Sequence, residues 1–269
     1  MTNLPATRDN NTAVATNEYA GFASDGTEDI APSFPIIKIV AGTSQMSGAS
    51  KHAGEFYRTD TEEFIPTLEC VPLFQKTTRA VFEEGSDTPV CRSENGHEPM
   101  PYQRLWDLDT LRLGNGQSID VPTNVQPKSC AICPLGQWGQ NDEPPVCREN
   151  VVVLVDAGDG ELAQLRIAPS SIGVWRRWVA RKLKPKKLPL CSQRLTLTTT
   201  ERSKPGKKWS ELVIESEQLS PAEAAAYNAV LQYEAAAFER TVLEQTTTAP
   251  ANVIDGDALM DDDLDLPFE

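Results

Sequence analysis

The chain predicts a mainly β protein. Three observations carry that expectation. Short apolar runs recur between Gly, Pro and Asp, one Gly-Asp-Gly turn joins two β-type runs, and helical periodicity is confined to two segments of the second half.

Residues 1–30 are rich in Thr, Asn, Asp and Ala without periodicity, the composition of a disordered arm. "FPIIKIV" (Phe34 to Val40) is the first strand, and "GEFYRT", "FIPTLECVPL" and "TTRAVFEE" follow as separate short strands. Residues 84–149 change character: Gly, Pro, Asn and Asp are frequent and four of the six cysteines fall there, so the segment reads as an insertion. "NVVVLVDAGDGELAQLRIA" then gives two strands and the strongest hairpin turn in the chain.

"PSSIGVWRRWVARKLKP" predicts a short amphipathic helix capped by Ser170 or Ser171, with Ile172, Trp175 and Val179 on its apolar stripe and cations elsewhere. "CSQRLTLTTT" and "KKWSELVIES" alternate as the strands of a basic hairpin that turns at Pro205-Gly206. In "SPAEAAAYNAVLQYEAAAFERTVLEQ", Ser220 is the cap, Pro221 the first helical residue and Glu223 the third after the cap. That capping box predicts a helix over 221–245. The ordered body is 31–245, and 246–269 reads as a disordered acidic tail.

No stretch approaches the ~20 apolar residues of a membrane span, and the N-terminus lacks the regions of a signal peptide. The expectation is a cytoplasmic protein whose cysteines are thiols or metal ligands rather than a disulfide framework. With two histidines, His52 and His97, no phosphate-binding glycine loop and no Gly-x-Ser-x-Gly, it is expected to be non-catalytic.

Cys130-Ala-Ile-Cys133-Pro sets two thiolates across a tight turn, the geometry that donates two ligands to one tetrahedral ion. Cys91 and Cys147 supply the second pair of a four-cysteine structural zinc site, with His97 as the alternative to Cys91. A redox CxxC would open a helix after a buried strand, and "VQPKSCAICPLGQWG" has no such setting. Zinc would order an insertion that is poor in large apolar residues. Cys70 and Cys191 sit within strand patterns as small buried hydrophobes.

The formal net charge is −14, but the charges are not mixed: Arg176 to Lys208 holds twelve Lys/Arg and one acid, a local +11 against −25 on the remainder. Screening over roughly 8 Å makes such a block an electrostatic feature of its own. Cations interleaved with Trp175, Trp178 and Trp209 suit unpaired nucleic acid, whose phosphates take the cations and whose bases stack on the rings. If Leu212 and Ile214 face the core, Trp209 faces outward beside Lys207 and Arg194, whereas Trp175 fits the core better and Trp178 stays open. Tyr57 and Phe82 are weaker stacking candidates.

The ending "DDDLDLPFE" resembles the C-terminal tip of bacterial single-stranded-DNA-binding proteins. The matching residues are Asp261, Asp262, Asp263, Asp265, Leu266, Pro267 and Phe268, and this chain carries Glu269 after the phenylalanine. The order of strand, "CRSENG", "CAICP", "PPVC", basic strands and acidic tail is similar to bacteriophage single-stranded-DNA-binding proteins, an OB barrel interrupted by a zinc subdomain.

The resemblance implies an OB-like barrel with a zinc-binding insertion, sequence-independent binding of single-stranded DNA in replication or recombination, and a tail that recruits partners and competes with DNA. Arg176, Arg177, Arg181, Lys182, Arg194, Lys204, Lys207 and Lys208 are the candidate phosphate contacts and Trp209 the stacking residue. Two other classes stay open: a zinc-containing transcription factor or RNA-binding module, and an acidic adaptor that mimics nucleic acid.

Overall fold

The architecture is built outward from one strand in a computed structural model that describes residues 34–41, 51–86, 88–113, 116–121, 125–137, 145–158, 160–204 and 207–247. The N-terminal arm, the Pro205-Gly206 turn and the acidic tail lie outside the described residues. "RENVVVLVD" forms β8 (Arg148–Asp156), and Val151 to Val155 are each at most 1% exposed. A run apolar at every position is covered on both faces of its sheet. Val151, Val153 and Val155 enter one apolar cluster, and Val152 and Leu154 enter another.

β8 pairs antiparallel with β9 (Leu162–Ile167) through the predicted hairpin and with β4 (Leu68–Phe82) on its other edge. β9 pairs in parallel with β1 (Ile36–Ile39), which continues to β2 (Phe56–Arg58) and β3 (Phe64–Ile65). The free edge of β4 takes the hairpin β10 (Gln193–Lys204) and β11 (Lys207–Gln218) at its start, and β5 (Pro89–Ser93) at its end. These nine strands are one sheet, while β6 (Thr110–Arg112) and β7 (Ser118–Asp120) form a separate ribbon.

The large sheet curls into an open half-barrel. Its concave cluster draws residues from both ends of the strand order at once, and Thr199 Oγ1 on β10 donates to Gly54 O of the β1–β2 loop at 2.6 Å. "FIPTLECVPL" and "TTRAVFEE" are largely one strand, β4, rather than two. Pro72 lacks an N–H for the ladder and is accommodated at a register shift between Pro72 and Phe74.

Helix α1 (Pro169–Lys182) lies on the concave side. Its N-cap is Ala168 with Pro169 in the first turn, not Ser170 or Ser171. Both serines serve the exposed edge of β11 instead: Ser170 Oγ donates to Ser210 O at 3.0 Å, and Ser171 Oγ accepts from Leu212 N at 2.9 Å. A sheet edge covered in this way offers fewer unpaired groups to another chain. Trp175 is fully buried and donates its indole N–H to Gln75 Oε1 at 2.7 Å, while Trp178, also buried, donates to Ser216 Oγ at 3.2 Å.

Helix α2 (Pro221–Thr247) covers the second face, where Phe238 and Val242 pack with Phe34, Val152 and Leu154. The predicted capping box is formed: Glu223 Oε2 accepts from Ser220 N (3.0 Å) and Ser220 Oγ (2.7 Å), and Ser220 Oγ accepts from Glu223 N (3.3 Å). No helix among the described residues is long and apolar enough to cross a membrane.

Candidate functional site

The insertion carries its own apolar cluster, built from Val81, Val90, Leu105, Trp106, Leu111 and Leu135 together with Cys91, Cys133 and Cys147. Cys91 sits in β5 opposite Val81, so the end of β4 anchors it. Cys130 opens the 3-10 turn Cys130–Ile132, whose cap Ser129 accepts from Ala131 N; Cys133 N then donates to Cys130 O at 3.3 Å and Gly136 N to Cys133 O at 3.0 Å. A side chain at Gly136 would meet Cys130 O at 3.2 Å and Arg79 Nη1 at 3.3 Å, so the knuckle closes only around glycine or with a shift of its neighbours. Cys147 N donates to Leu135 O at 2.8 Å and ties the last cysteine to the same turn.

Cys91, Cys130, Cys133 and Cys147 are all buried and line one cavity of about 10 Å³, room for about one water-sized sphere, together with Arg79, Ser93 and Trp106. The thiols of Cys91 and Cys147 are pushed up to about 12, first by burial and then by the neighbouring thiols, with Arg79 opposing at Cys147. Burial raises Cys130 as well, against a hydrogen bond from Ser93 and the charge of Arg79. Left to themselves Cys91, Cys130 and Cys147 are neutral at pH 7, and a bound cation is what would hold the set as thiolates.

Their number, softness and enclosure fit a zinc ion. Yet among the described residues no three His, Cys, Asp or Glu side chains stand in an arrangement that holds a metal as it is, so the sulfurs would converge by side-chain rotation. His97 is exposed and contributes its backbone instead, its carbonyl accepting from Cys130 N at 2.7 Å. Cys70 and Cys191 are buried in the two sheet clusters, away from this cavity, as expected of small hydrophobes.

The basic block does not form one surface. β10 pairs with β4 only over Leu195–Leu197, and beyond it β10 and β11 run on as a two-stranded arm from Thr198 opposite Val213 to Lys204 opposite Lys207. Arg202, Lys204 and Lys208 are exposed at its end. Trp209 is half-buried opposite Arg202, and its indole N–H is buried without an acceptor. Leu212 is buried and Ile214 packs on the core, so Trp209 does lie on the other face, as the alternation predicts.

Arg194, expected beside it, stands opposite Glu217 about 26 Å along the strand and pairs with Glu223 at 3.8 Å. Helix α1 follows β11 from Ser210 to Ser216, so exposed Arg181, Lys182, Lys184, Lys186 and Lys187 lie past Ser216, about 30 Å from the arm's end. Exposed Arg176 pairs instead with Glu149 of β8, and Arg177 is exposed beside it. On the arm, Arg202 holds Glu211 at 2.8 Å and Lys208 holds Glu201 at 3.1 Å. Such exposed pairs contribute only ~0–1 kcal/mol and yield readily to a stronger anion.

One aromatic group escaped the sequence. On β2–β3 and the preceding loop, His52 stacks on Phe64 with centroids 4.1 Å apart and planes at 12°, and Tyr57 tilts against Phe64 at 5.1 Å. Only Tyr57 was singled out by pattern, because the group is assembled by the Tyr57–Phe64 cross-strand pair. Asp60, Glu62 and Glu63 are exposed or nearly so at the turn beside it, which makes it a poor phosphate site. Arg79 and Trp106 were missed too; neither belongs to a spacing that marks a site.

No protein-family model, curated protein or solved structure matches the chain.

Proposed function

We propose that the protein is a non-catalytic, sequence-independent single-stranded-DNA-binding protein of the bacteriophage type, acting in replication or recombination. The observation that supports this most is the β10–β11 arm beyond the last pairing with β4, where Arg202 and Lys204 are exposed on the face of a half-buried Trp209 and Lys208 is exposed on the other face. Cations on a twisted two-stranded ribbon follow a phosphate backbone, and the ring offers a base a stacking plane. The curled sheet is read as an OB-type barrel left open, with α1 filling its concave side.

In this reading the four cysteines hold a structural Zn2+ with no open coordination position, and the ion supplies the order that the small insertion core cannot. The insertion leaves β4 at the opposite end from the arm, about 45 Å along the strand, so it braces the sheet rather than lengthening the arm's surface. The cations past α1 form a second, separate phosphate contact. The acidic tail with Leu266, Pro267 and Phe268 recruits partner proteins and competes with DNA for the cations.

The test is a fluorescence-anisotropy titration of a labelled dT oligonucleotide and a matched duplex across a salt series. Tight single-strand binding, weak duplex binding and a negative slope of log K on log salt are expected. Truncation after Thr248 tightens single-strand binding, most at low salt; unchanged affinity removes the competition role. Binding of neither oligonucleotide at low salt by folded protein assigns the basic arm to an acidic protein partner instead.

A further inference from the structure

Two residues outside the cysteine set converge on its cavity. Trp106, in the 3-10 turn Arg104–Asp107, is 4% exposed and lines the cavity beside the four thiols, and its indole N–H is buried with no acceptor. A buried donor left without a partner costs about 1–3 kcal/mol, which a folded protein does not normally carry without return. The cavity it lines offers sulfur. A neutral thiol accepts weakly, whereas a thiolate sulfur is an anionic acceptor.

Arg79 reaches the same place from the sheet. Its side chain is 17% exposed; Nε donates to Gly96 O at 3.1 Å, Nη1 to Cys147 O at 3.5 Å, and Nη2 to Glu149 Oε2 at 3.5 Å. It also stands against the Gly136 turn that follows Cys133. One β4 residue thereby fastens three pieces of the insertion: the 93–97 turn, the knuckle and the strand leading from Cys147.

We propose that Trp106 and Arg79 form the outer sphere of a tetrathiolate metal site, Trp106 donating its N–H to a metal-bound cysteine sulfur and Arg79 positioning the ligand segments while offsetting the site's negative charge. This rests on the zinc reading of the four cysteines. Four thiolates around Zn2+ leave a net −2 in a buried place. A guanidinium and an N–H donor reduce its cost, as partners of this kind do in other metal sites, where their loss typically lowers metal affinity 10–100-fold.

The experiment uses the full chain with Zn2+, Co2+ or 113Cd2+ as the probe. Zinc affinity is measured by chelator competition, and the Co2+ form is followed through its sulfur-to-metal charge-transfer band. Trp106→Phe keeps the ring and removes the donor. It is expected to weaken Zn2+ about tenfold and to shift the band. Arg79→Met is expected to weaken Zn2+ by about 10–100-fold, with partial recovery in Arg79→Lys, which keeps the charge without the three-way grip.

In the unsubstituted 113Cd protein, one of the five tryptophan indole protons is expected to show coupling to cadmium, and that signal is absent in Trp106→Phe. This reading needs no variant that might unfold. Absence of metal binding by the unsubstituted chain overturns the zinc reading itself. Tight metal binding without the indole coupling, and with Trp106→Phe and Arg79→Met unchanged in affinity and spectrum, overturns the outer sphere alone.

Discussion

Val151 to Val155 of β8 are shielded by two apolar clusters that draw on most of the sheet and both helices, whereas three of the nine buried residues in the insertion cluster are cysteines. The same chain therefore stabilises two neighbouring regions by different means. Around β8, burial of aliphatic surface at ~25 cal/mol per Å² is sufficient and independent of any ligand. In the insertion the apolar contribution is small, and four thiols stand where a larger domain would place leucines. The sheet's integrity should survive conditions that dissolve the insertion.

The strongest way to break that comparison is to deny the insertion the zinc ion proposed for it. Cys130→Ser with Cys133→Ser, or a strong chelator, is expected to abolish amide protection over residues 88–147 while β8 and β9 keep theirs in hydrogen exchange. Apparent structural-zinc binding energies of about 10–16 kcal/mol make this the largest effect. Zinc uptake at pH 7 is expected to release at least three protons, read with an indicator dye, because Cys91, Cys130 and Cys147 are held neutral until the ion binds; markedly fewer would mean fewer thiolate ligands.

Leu154→Ala removes a fully buried side chain from the α2 face. A loss of about 3 kcal/mol is expected in urea unfolding of the sheet, equal with and without zinc. A loss that depends on metal would show the two regions to be one cooperative unit. Trp209→Ala sharpens the comparison on the functional side. It is expected to weaken dT binding by about 1–3 kcal/mol with little change in melting temperature, and Lys204→Ala to lessen the salt slope by about 1.

The smallest effect lies at the start of α2. Ser220→Ala is expected to lower stability by about 1 kcal/mol in a urea melt. The Glu223 carboxyl is held below its ordinary 4.5 first by the Ser220 hydroxyl and then by the Ser220 backbone N–H. A depressed folded value contributes stability above the unfolded pKa and loses it as pH falls through the folded value. The Ser220→Ala penalty is therefore expected to shrink as pH falls below the ordinary carboxylate value and through the depressed one, and a pH-independent penalty would discount the carboxylate's part.

Much of the fold was legible because its signals are local. The β8–β9 hairpin, the Ser220–Glu223 box and the alternation that turns Trp209 away from the core each depend on residues a few positions apart. The four cysteines were legible as a set for a similar reason: CxxC is local, and the other two were the remaining cysteines of an unusual segment. The continuity of β4 past Leu73 was not legible, because the missing N–H of Pro72 is absorbed by a register shift that only the pairing with β8 reveals. Ser170 and Ser171 misled because a serine before an apolar run reads as a cap, while an unpaired strand edge offered both hydroxyls better partners.

The sequence by itself determined the strand periods, the α2 start, the cysteine set and the segregation of charge, since dihedral preferences and side-chain alternation act between near neighbours. Only the tertiary structure decided that the cations divide into two sets about 30 Å apart along β11, that Arg194 stands at the far end from Trp209, and that Arg79 and Trp106 line the cavity of the four cysteines. Those facts follow from which strands pair and in which register. Register is set by the burial of whole faces, and charge density along a chain carries no information about it.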